Sequence, residues 1–287
     1  MCRLFGMTAG RQPMRATFWL LDAPDSLADQ SRRNPEGYGL GTYLPDGSPR
    51  VVKRPAAAYE DLEFAREAKE EESPTFVAHV RFASTGGLSV ENTHPFEQKG
   101  RLFAHNGHIG DLEKLESQLG DYRDLVHGDT DSERFFALIT RETDRSGGDL
   151  GAGIAAAARW VAAELPLYSL NCVVTTPTEL FALRYPDTHA LRVLERGAGG
   201  PSASRHLDAA SPAGTVRVRS GDLVERPAVV VASEQMDEDP GWRMIEPGEL
   251  LRVDGDLRVS SSVAVDAPAH QIRLDDLGPR AAASQQF

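Results

Sequence analysis

The alternation of hydrophobic and polar residues predicts strands near both ends of the chain. Residues 3–9 form a short apolar segment that predicts a first strand almost at the first residue. The segments 37–44 and 50–54 flank the turn signal Pro45-Asp46-Gly47-Ser48 and predict a hairpin. Residues 75–82 are rich in β-branched and aromatic side chains, as strands are. Further strands are predicted at 101–106, 168–175, 178–184, 190–194, 215–219, 227–233, 249–253 and 256–260.

Helical patterns lie between these two groups of strands. Residues 59–72 are rich in Ala, Glu and Lys, and residues 111–119 predict a shorter polar helix. The segment Thr130-Asp131-Ser132-Glu133 matches a capping box and predicts a helix over 130–143, followed by an Ala-rich helix over 150–165. Strands first and last with helices between them predict a layered α+β fold. The periodicity does not show whether two sheets stack face to face.

The predicted elements lie between residues 3 and 260, and we expect residues 2–264 to form one domain. A chain of 287 residues is long enough to bury a sizeable core without disulfides or a metal. Residues 197–214 are rich in Gly, Ala, Ser and Pro and predict a loop. The tail over 265–287 is polar and contains Ala, Pro and Gln, so we expect it to be disordered.

Composition and charge narrow the classes of partner. The excess of 43 acidic over 31 basic residues gives a net charge of −12, which disfavours binding to nucleic acid. No apolar run is long enough to cross a bilayer, and the N-terminus lacks the apolar core of a secretory signal. Cys2 and Cys172 form neither a disulfide framework nor a CxxC metal knuckle. A cytoplasmic, reduced protein without nucleic-acid or membrane partners is therefore predicted.

Cys2 is a candidate nucleophile that would carry its own base. Removal of the initiator methionine would leave a thiol and a free α-amine on one residue. An α-amine has a reference pKa of about 7.7–8.0, which suits a general base, and a deprotonated thiol is a strong nucleophile. The alternative is a cysteine that lies near the start of the chain by chance.

Three further segments place polar groups at the end of a strand or the start of a helix. In the segment 79–86, Arg81 is suited to bind a carboxylate, with Ser84 and Thr85 as neutral donors, although a lone Arg more often pairs with a surface acid. The dipeptide Asn106-Gly107 is most often a turn, but its side-chain amide and backbone N–H also suit an oxyanion hole.

The third segment is the helix start that contains Asp131. Its carboxylate would either complement the helix dipole or hold a substrate ammonium group. A metal site is a further hypothesis, and its candidate ligands are His79, His94, His105 and His108. No carboxylate partner is evident, and core histidines are the favoured interpretation. We therefore predict no metal and no cofactor.

The order of these motifs is more specific than any one of them. An N-terminal Cys, the HxRxA-S/T-x-G segment, His-Asn-Gly and the Asp-Ser-Glu helix start follow one another, with the Asn92-Thr93-His94-Pro95-Phe96 segment among them and Ser233-Glu234 near the end. In this order the chain resembles the class II glutamine amidotransferases, whose glutaminase domain is an N-terminal nucleophile hydrolase. The resemblance covers roughly residues 2–260. Within the family, the chain is similar to two compact stand-alone types, the YafJ-like proteins and the amidohydrolase of ergothioneine biosynthesis.

The resemblance implies a four-layer αββα sandwich and a catalytic centre at Cys2. That residue would be the nucleophile and, through its α-amine, the base. The side chain of Asn106 and the backbone of Gly107 would form the oxyanion hole.

Substrate recognition is implied by the same resemblance. Arg81 would bind the α-carboxylate of glutamine and Asp131 its α-ammonium group, with Ser84 and Thr85 assisting at the carboxylate. Many family members carry a Thr-His pair where this chain has Ser84-Thr85, and Trp where it has Phe82. Position 85 is thus where the chain departs most from the family pattern.

The implied reaction is hydrolysis of glutamine or another γ-glutamyl amide through a thioester, with release of glutamate and ammonia or an amine. No Walker loop or dinucleotide-binding fingerprint appears in the sequence, which favours a stand-alone hydrolase. One alternative is a glutaminase subunit that delivers ammonia to a separate synthase. An alternative of another class is a catalytically silent ligand-binding module.

Overall fold

The computed structural model describes residues 2–82, 87–198 and 226–279, together with 209–210, 217–218 and residue 282. Its strands are β1 (Arg3–Thr8), β2 (Tyr38–Tyr43), β3 (Pro49–Arg54), β4 (Thr75–Val80), β5 (Phe96–Gln98), β6 (Arg101–Ile109), β7 (Leu167–Thr175), β8 (Leu180–Leu183), β9 (Arg192–Arg196), β10 (Ala209–Ala210), β11 (Arg217–Val218), β12 (Ala228–Ala232), β13 (Arg243–Met244), β14 (Glu249–Val253) and β15 (Val259–Val263). Its α-helices are α1 (Leu27–Gln30), α2 (Leu62–Glu70), α3 (Leu112–Leu119), α4 (Asp131–Arg145) and α5 (Leu150–Glu164). Shorter helical turns span Phe18–Asp22, Ala58–Glu60, Gly120–Leu125 and Leu274–Asp276.

The described strands form two large antiparallel sheets. One has seven strands in the order β13-β9-β12-β1-β4-β2-β3, which places β1 at its centre. The other has six strands in the order β15-β14-β8-β7-β6-β5. The strands β10 and β11 pair only with each other. The first strand is thus flanked on both sides, by β4 and β12, which holds the start of the chain inside the fold.

Three apolar clusters show how the layers stack. Leu4 of β1 and Val173 of β7 belong to the cluster between the two sheets. Phe5 and Phe64 belong to a second cluster, in which α1, α2 and the Phe18–Asp22 turn cover the outer face of the seven-stranded sheet. In the third cluster α3, α4 and α5 cover the outer face of the six-stranded sheet. The expected four-layer αββα sandwich is confirmed.

Most predicted elements are confirmed, and the errors have local causes. The predicted hairpin is β2–β3, with Tyr43 opposite Pro49 across the turn. The strand predicted at 256–260 is wrong at its start, because the Asp254 carboxylate accepts the N–H groups of Asp256 and Arg258 and forms a turn there. β15 therefore begins only at Val259. The sequence interpretation missed α1, β5, β13 and the Phe18–Asp22 turn, which are too short to carry a periodicity.

The described chain after β15 continues along the six-stranded sheet. Val265 is buried in the cluster beneath α5, and the N–H of Leu167 donates to the carbonyl of His270. Gln271 then forms a parallel bridge with Leu167. Most of the segment predicted as a loop at 197–214 lies outside the described residues. None of the helices that the structure describes is both long and apolar enough to span a bilayer.

Candidate active site

Sheet pairing brings the start of the chain to the end of β4. In the antiparallel β1–β4 pair, Arg3 lies opposite Val80, so Cys2 lies beside the residues that follow β4. The Cys2 Sγ accepts a hydrogen bond from the Phe82 N–H at 3.2 Å and donates to the Phe82 carbonyl at 3.3 Å. The thiol is therefore fixed next to Arg81.

The opposite sheet contributes Asn106 from β6. Its Nδ2 donates to the Cys2 carbonyl at 2.9 Å, so one hydrogen bond crosses from the six-stranded sheet to the start of the seven-stranded one. The Asn106 side chain is buried. Its amide is therefore held against the backbone of Cys2.

Gly107 follows Asn106 at a point where no side chain fits. A Cβ atom at this position would lie 1.9 Å from the carbonyl oxygen of Ser169 in β7. Any other residue would push β6 away from β7 and would move the Asn106 amide with it. The glycine is thus required for the close approach of these strands.

Asp131 is tied to the end of the same strand. Its Oδ2 accepts the N–H of Ile109 at 2.9 Å, and its Oδ1 accepts the N–H of Ser132 at 2.9 Å. The side chain is only 3% exposed. The start of α4 is thereby held against β6, two residues beyond Gly107.

The predicted capping box at the start of α4 is only half present. The Thr130 Oγ1 accepts the N–H of Glu133 at 3.2 Å, as predicted. The Glu133 carboxylate does not return to Thr130 but accepts the N–H of Gly128 at 2.6 Å. It therefore fixes the loop that precedes the helix, which in turn fixes where Asp131 lies.

Arg81 is buried directly after β4. Only 4% of its surface is exposed, and its Nη1 donates to the carbonyl of Gly87 at 3.1 Å. Ser84 and Thr85, the predicted assisting residues, lie outside the described residues. The structure brings the other five of the seven predicted site residues to one end of the sandwich: Cys2, Arg81, Asn106, Gly107 and Asp131.

Asn92 is a site residue to which sequence reasoning assigned no role. Its Nδ2 donates to the Gly87 carbonyl at 3.4 Å, the same oxygen that Arg81 contacts. Its Oδ1 accepts the N–H of Asp129 at 2.8 Å. One amide therefore joins the loop after Arg81 to the loop before Asp131. The only sequence signal was its place in the Asn-Thr-His-Pro-Phe segment.

The electrostatic surroundings keep the Cys2 thiol protonated. Burial raises its pKa, while the Phe82 N–H and the positive charges of Arg81 and Arg3 oppose that rise without cancelling it. A thiol in this state needs a base before it can attack. The Cys2 thiol is therefore held in a fixed place in its protonated form.

The buried histidines behind the site lie in two different settings. The rings of His79 and His94 are 4.2 Å apart, whereas the Nδ1 of His105 lies 2.9 Å from the Ser132 hydroxyl. In the described ranges, no three His, Cys, Asp or Glu residues are grouped as a metal site would require. These imidazoles support the structure around β4 and β6.

Lowering the pH from 7 to 5 is expected to destabilise the fold through His79 and His94. Burial lowers the pKa of His79 to about 3 and that of His94 well below its usual value. Below about pH 6.5 the unfolded chain therefore binds protons that the folded protein does not, so stability falls as the pH falls towards 3. For His79 the loss at pH 5 is about 2 kcal/mol.

Urea unfolding at pH 7 and pH 5 measures this loss. His79→Gln should reduce the difference between the two pH values, whereas His127→Gln, at an exposed position, should leave it unchanged. An equal pH dependence in all three proteins would show that His79 is not responsible.

Comparison with known proteins agrees with this arrangement. The family model for class II glutamine amidotransferases matches residues 1–275. DUG3 of Saccharomyces cerevisiae, named as a glutamine amidotransferase, is 31% identical over 170 residues, which are 52% of this chain and 47% of DUG3. YafJ of Escherichia coli, also named as one, is 32% identical over 127 residues, which are 41% of this chain and 48% of YafJ. The chain thus aligns with about half the length of these curated relatives.

A solved structure supports the fold. The glutamine phosphoribosylpyrophosphate amidotransferase of Bacillus subtilis superposes with a TM-score of 0.62 and 21% identity, covering 91% of this chain and 49% of that one. At this identity the likeness concerns the fold alone. The match of the family model is independent of it and covers nearly the whole chain. This chain belongs to the class II glutamine amidotransferases.

Proposed function

We propose that the protein hydrolyses glutamine or a related γ-glutamyl amide, with Cys2 as nucleophile once Met1 has been removed. The observation that best supports this is the hydrogen bond from Asn106 Nδ2 to the Cys2 carbonyl at 2.9 Å. It brings a side-chain amide from one sheet next to the proposed nucleophile, which precedes the first strand of the other sheet, and an oxyanion hole needs a donor at this place.

The reaction has two halves. The α-amine of Cys2 takes the thiol proton, and the thiolate attacks the δ-carbonyl carbon of the γ-glutamyl group. The oxyanion is stabilised by the Asn106 amide and the Gly107 N–H. The tetrahedral intermediate then collapses, the α-ammonium returns its proton to the departing nitrogen, and ammonia or an amine leaves. Water attacks the resulting thioester, and glutamate is released as the Cys2 sulfur regains its proton.

The raised pKa of the Cys2 thiol explains why a base on the same residue is useful. A thiol that is mostly protonated in the resting site reacts only slowly with other electrophiles. Free α-amines have a reference pKa of about 7.7–8.0, so an amine on Cys2 suits the role of base near neutral pH. The thiolate is then formed by a proton transfer within one residue, beside the bound substrate.

Arg81 and Asp131 are proposed to recognise the zwitterionic end of the substrate. Both side chains are buried within the same group of loops, Arg81 beside Cys2 and Asp131 beside the end of β6. Glutamine brings a carboxylate for the guanidinium and an ammonium for the carboxylate. A substrate that lacks either charge would lose one of these two charge-assisted contacts and should bind more weakly.

Arg81→Lys is expected to raise the KM for glutamine by about 10–100-fold, because the bidentate contact to the carboxylate is lost. The variant should lower kcat much less, since Cys2 and Asn106 are unchanged. Steady-state assays of glutamate release measure both constants. As a matched control, Arg252→Lys alters an exposed arginine paired with Glu179 away from the site and should leave KM unchanged. A KM equal to that of the wild type in Arg81→Lys would remove Arg81 from substrate binding.

A second candidate is a glutaminase that supplies ammonia to a separate synthase. It is favoured by relatives named as glutamine–fructose-6-phosphate aminotransferase and amidophosphoribosyltransferase, of which the chain aligns with 12% and 15% of the length. Glutamate release by the purified chain alone, without added partner, supports free hydrolysis. Release only after addition of a cell extract supports the subunit. No release under either condition would favour the silent binding module.

A further inference from the structure

The start of β1 lies beside Ser233 and Glu234, two residues that the catalytic proposal does not use. The N–H of Leu4 donates to the Ser233 hydroxyl at 3.0 Å, and the N–H of Ser233 donates to the Leu4 carbonyl at 3.0 Å. Ser233 is buried and directly follows β12. The chain after β12 therefore continues to hold β1 beyond their last ladder pair, Phe5 with Ala232.

The side chain of Arg3 lies on the opposite face of the sheet from Cys2. Leu4 belongs to the cluster between the sheets, and a Cβ on Gly6 would lie 2.8 Å from Val173 of the other sheet. Phe5 belongs to the cluster beneath the outer helices. Since side chains alternate along a strand, Arg3 points with Phe5 towards the outer layer, and Cys2 lies on the inner side.

On that outer side Arg3 meets Glu234. The Nη2 of Arg3 lies 3.4 Å from Oε1 of Glu234, and the arginine side chain is 4% exposed while that of the glutamate is 39% exposed. Burial lowers the pKa of Arg3, and the Glu234 carboxylate opposes this most strongly, with a smaller opposing contribution from Asp25. Glu234 is thus the acidic residue that contributes most to the counter-charge of the buried guanidinium.

We propose that Ser233 and Glu234 are positioning residues that hold Cys2 in its reactive place, Ser233 through the backbone of Leu4 and Glu234 through the side chain of Arg3. This inference rests on the proposed function. A nucleophile at the first residue of a chain has only one covalent neighbour, and chain ends fray unless they are tied down. Anchoring Arg3 and Leu4, the two residues that follow Cys2, through separate contacts removes that freedom. A displacement of 1 Å at a reacting group can cost roughly 10²-fold in rate.

Glu234→Ala tests the side-chain anchor. We expect kcat for glutamine to fall about 10–100-fold, while KM stays within about 2-fold because Arg81 and Asp131 are not touched. Glu234→Asp, which keeps the charge, should recover much of kcat. Glu179→Ala is the matched control, since it breaks an ion pair with Arg252 outside the site and should leave kcat unchanged. Assays are run well below the melting temperature of each variant.

A double-mutant cycle tests whether Glu234 acts through Arg3. Arg3→Met alone should lower kcat as Glu234→Ala does, and the double variant should be no slower than the slower single variant. Intact-mass spectrometry must show that Cys2 is the first residue in every variant. Ser233→Ala, which removes only the hydroxyl that accepts the Leu4 N–H, provides a milder change that should still lower kcat.

Several results would overturn the proposal. One is an unchanged kcat in Glu234→Ala and Ser233→Ala, even if their melting temperatures fall. Another is a raised KM at constant kcat, which would place Glu234 in substrate binding. Additive losses in the Arg3 and Glu234 cycle would overturn the route through Arg3. Cys2→Ala separates these failures from that of the proposed function: if it remains active, the catalytic proposal itself is wrong.

Discussion

Replacing Cys2 by alanine is expected to reduce glutamate release by about 10³-fold or more, to the background of the assay. The thiol is the only group at the centre of the described site that can form the thioester. Cys2→Ser should retain at most a small fraction of the activity, because a hydroxyl is a far weaker nucleophile at neutral pH. Substrate should still bind, since Arg81 and Asp131 are intact.

Cys172 offers the matched control for Cys2. It is the second cysteine of the chain and lies buried in β7, where burial raises the pKa of its thiol to about 12. Cys172→Ala removes a thiol from the core and should leave kcat close to the wild-type value. Equal losses in the two variants would point to a general effect on folding.

The same experiment extends to the α-amine. A protein whose N-terminus is acetylated, or that keeps Met1, has the thiol but lacks a free amine on Cys2. We expect such chains to be as inactive as Cys2→Ala, because the thiol in this site stays protonated without a base. Intact mass identifies the two forms. Full activity in a blocked chain would refute a base on the nucleophile's own residue.

The sequence was most informative at the short motifs, in which a few chemically distinctive residues stand next to one another. The order of the Cys2, Arg81, Asn106-Gly107 and Asp131 motifs was enough to identify the family, and the family implied the four-layer fold. Composition alone could not have done so, because a hydrophobic fraction of 40% and a net charge of −12 fit many folds. The two stacked sheets followed only from the resemblance.

Contacts between distant parts of the chain could not be predicted. The hydrogen bond from the Asp129 N–H to Asn92 Oδ1, like the pairing of Arg3 with Glu234, joins segments that lie far apart in the sequence. Glu133 illustrates the same limit at short range: its spacing from Thr130 indicated a reciprocal cap, but tertiary packing offered the Gly128 N–H instead. Local patterns specify which groups are available, and the fold selects their partners.

The position of Asn106 predicts the second large effect. Asn106→Ala is expected to lower kcat by about 10²–10³-fold, because one of two donors to the oxyanion is lost. KM should change little, since the oxyanion exists only in the transition state and the tetrahedral intermediate. Asn106→Asp has nearly the same shape and should be at least as slow, because a carboxylate would repel the developing negative charge.

Asn106 also hydrogen-bonds the Cys2 carbonyl, so a loss of rate has two explanations that must be separated. Alkylation of the Cys2 thiol by iodoacetamide displaces iodide and forms no oxyanion. If Asn106 acts on the oxyanion, Asn106→Ala should be alkylated at nearly the wild-type rate while its kcat is about 10²–10³-fold lower. Alkylation slowed as much as turnover would instead assign Asn106 to holding Cys2 in place.

Asn171 provides the control within the same sheet. It lies opposite Asn106 in the β6–β7 pair, and its Oδ1 accepts the N–H of Tyr185 at 2.9 Å. Asn171→Ala should lower the urea midpoint, because a buried N–H loses its acceptor. Its kcat should stay far above that of Asn106→Ala, since Asn171 contacts the backbone of the segment after β8 and not that of Cys2. We expect the two paired asparagines to differ in effect because only Asn106 hydrogen-bonds Cys2 among the contacts described for them.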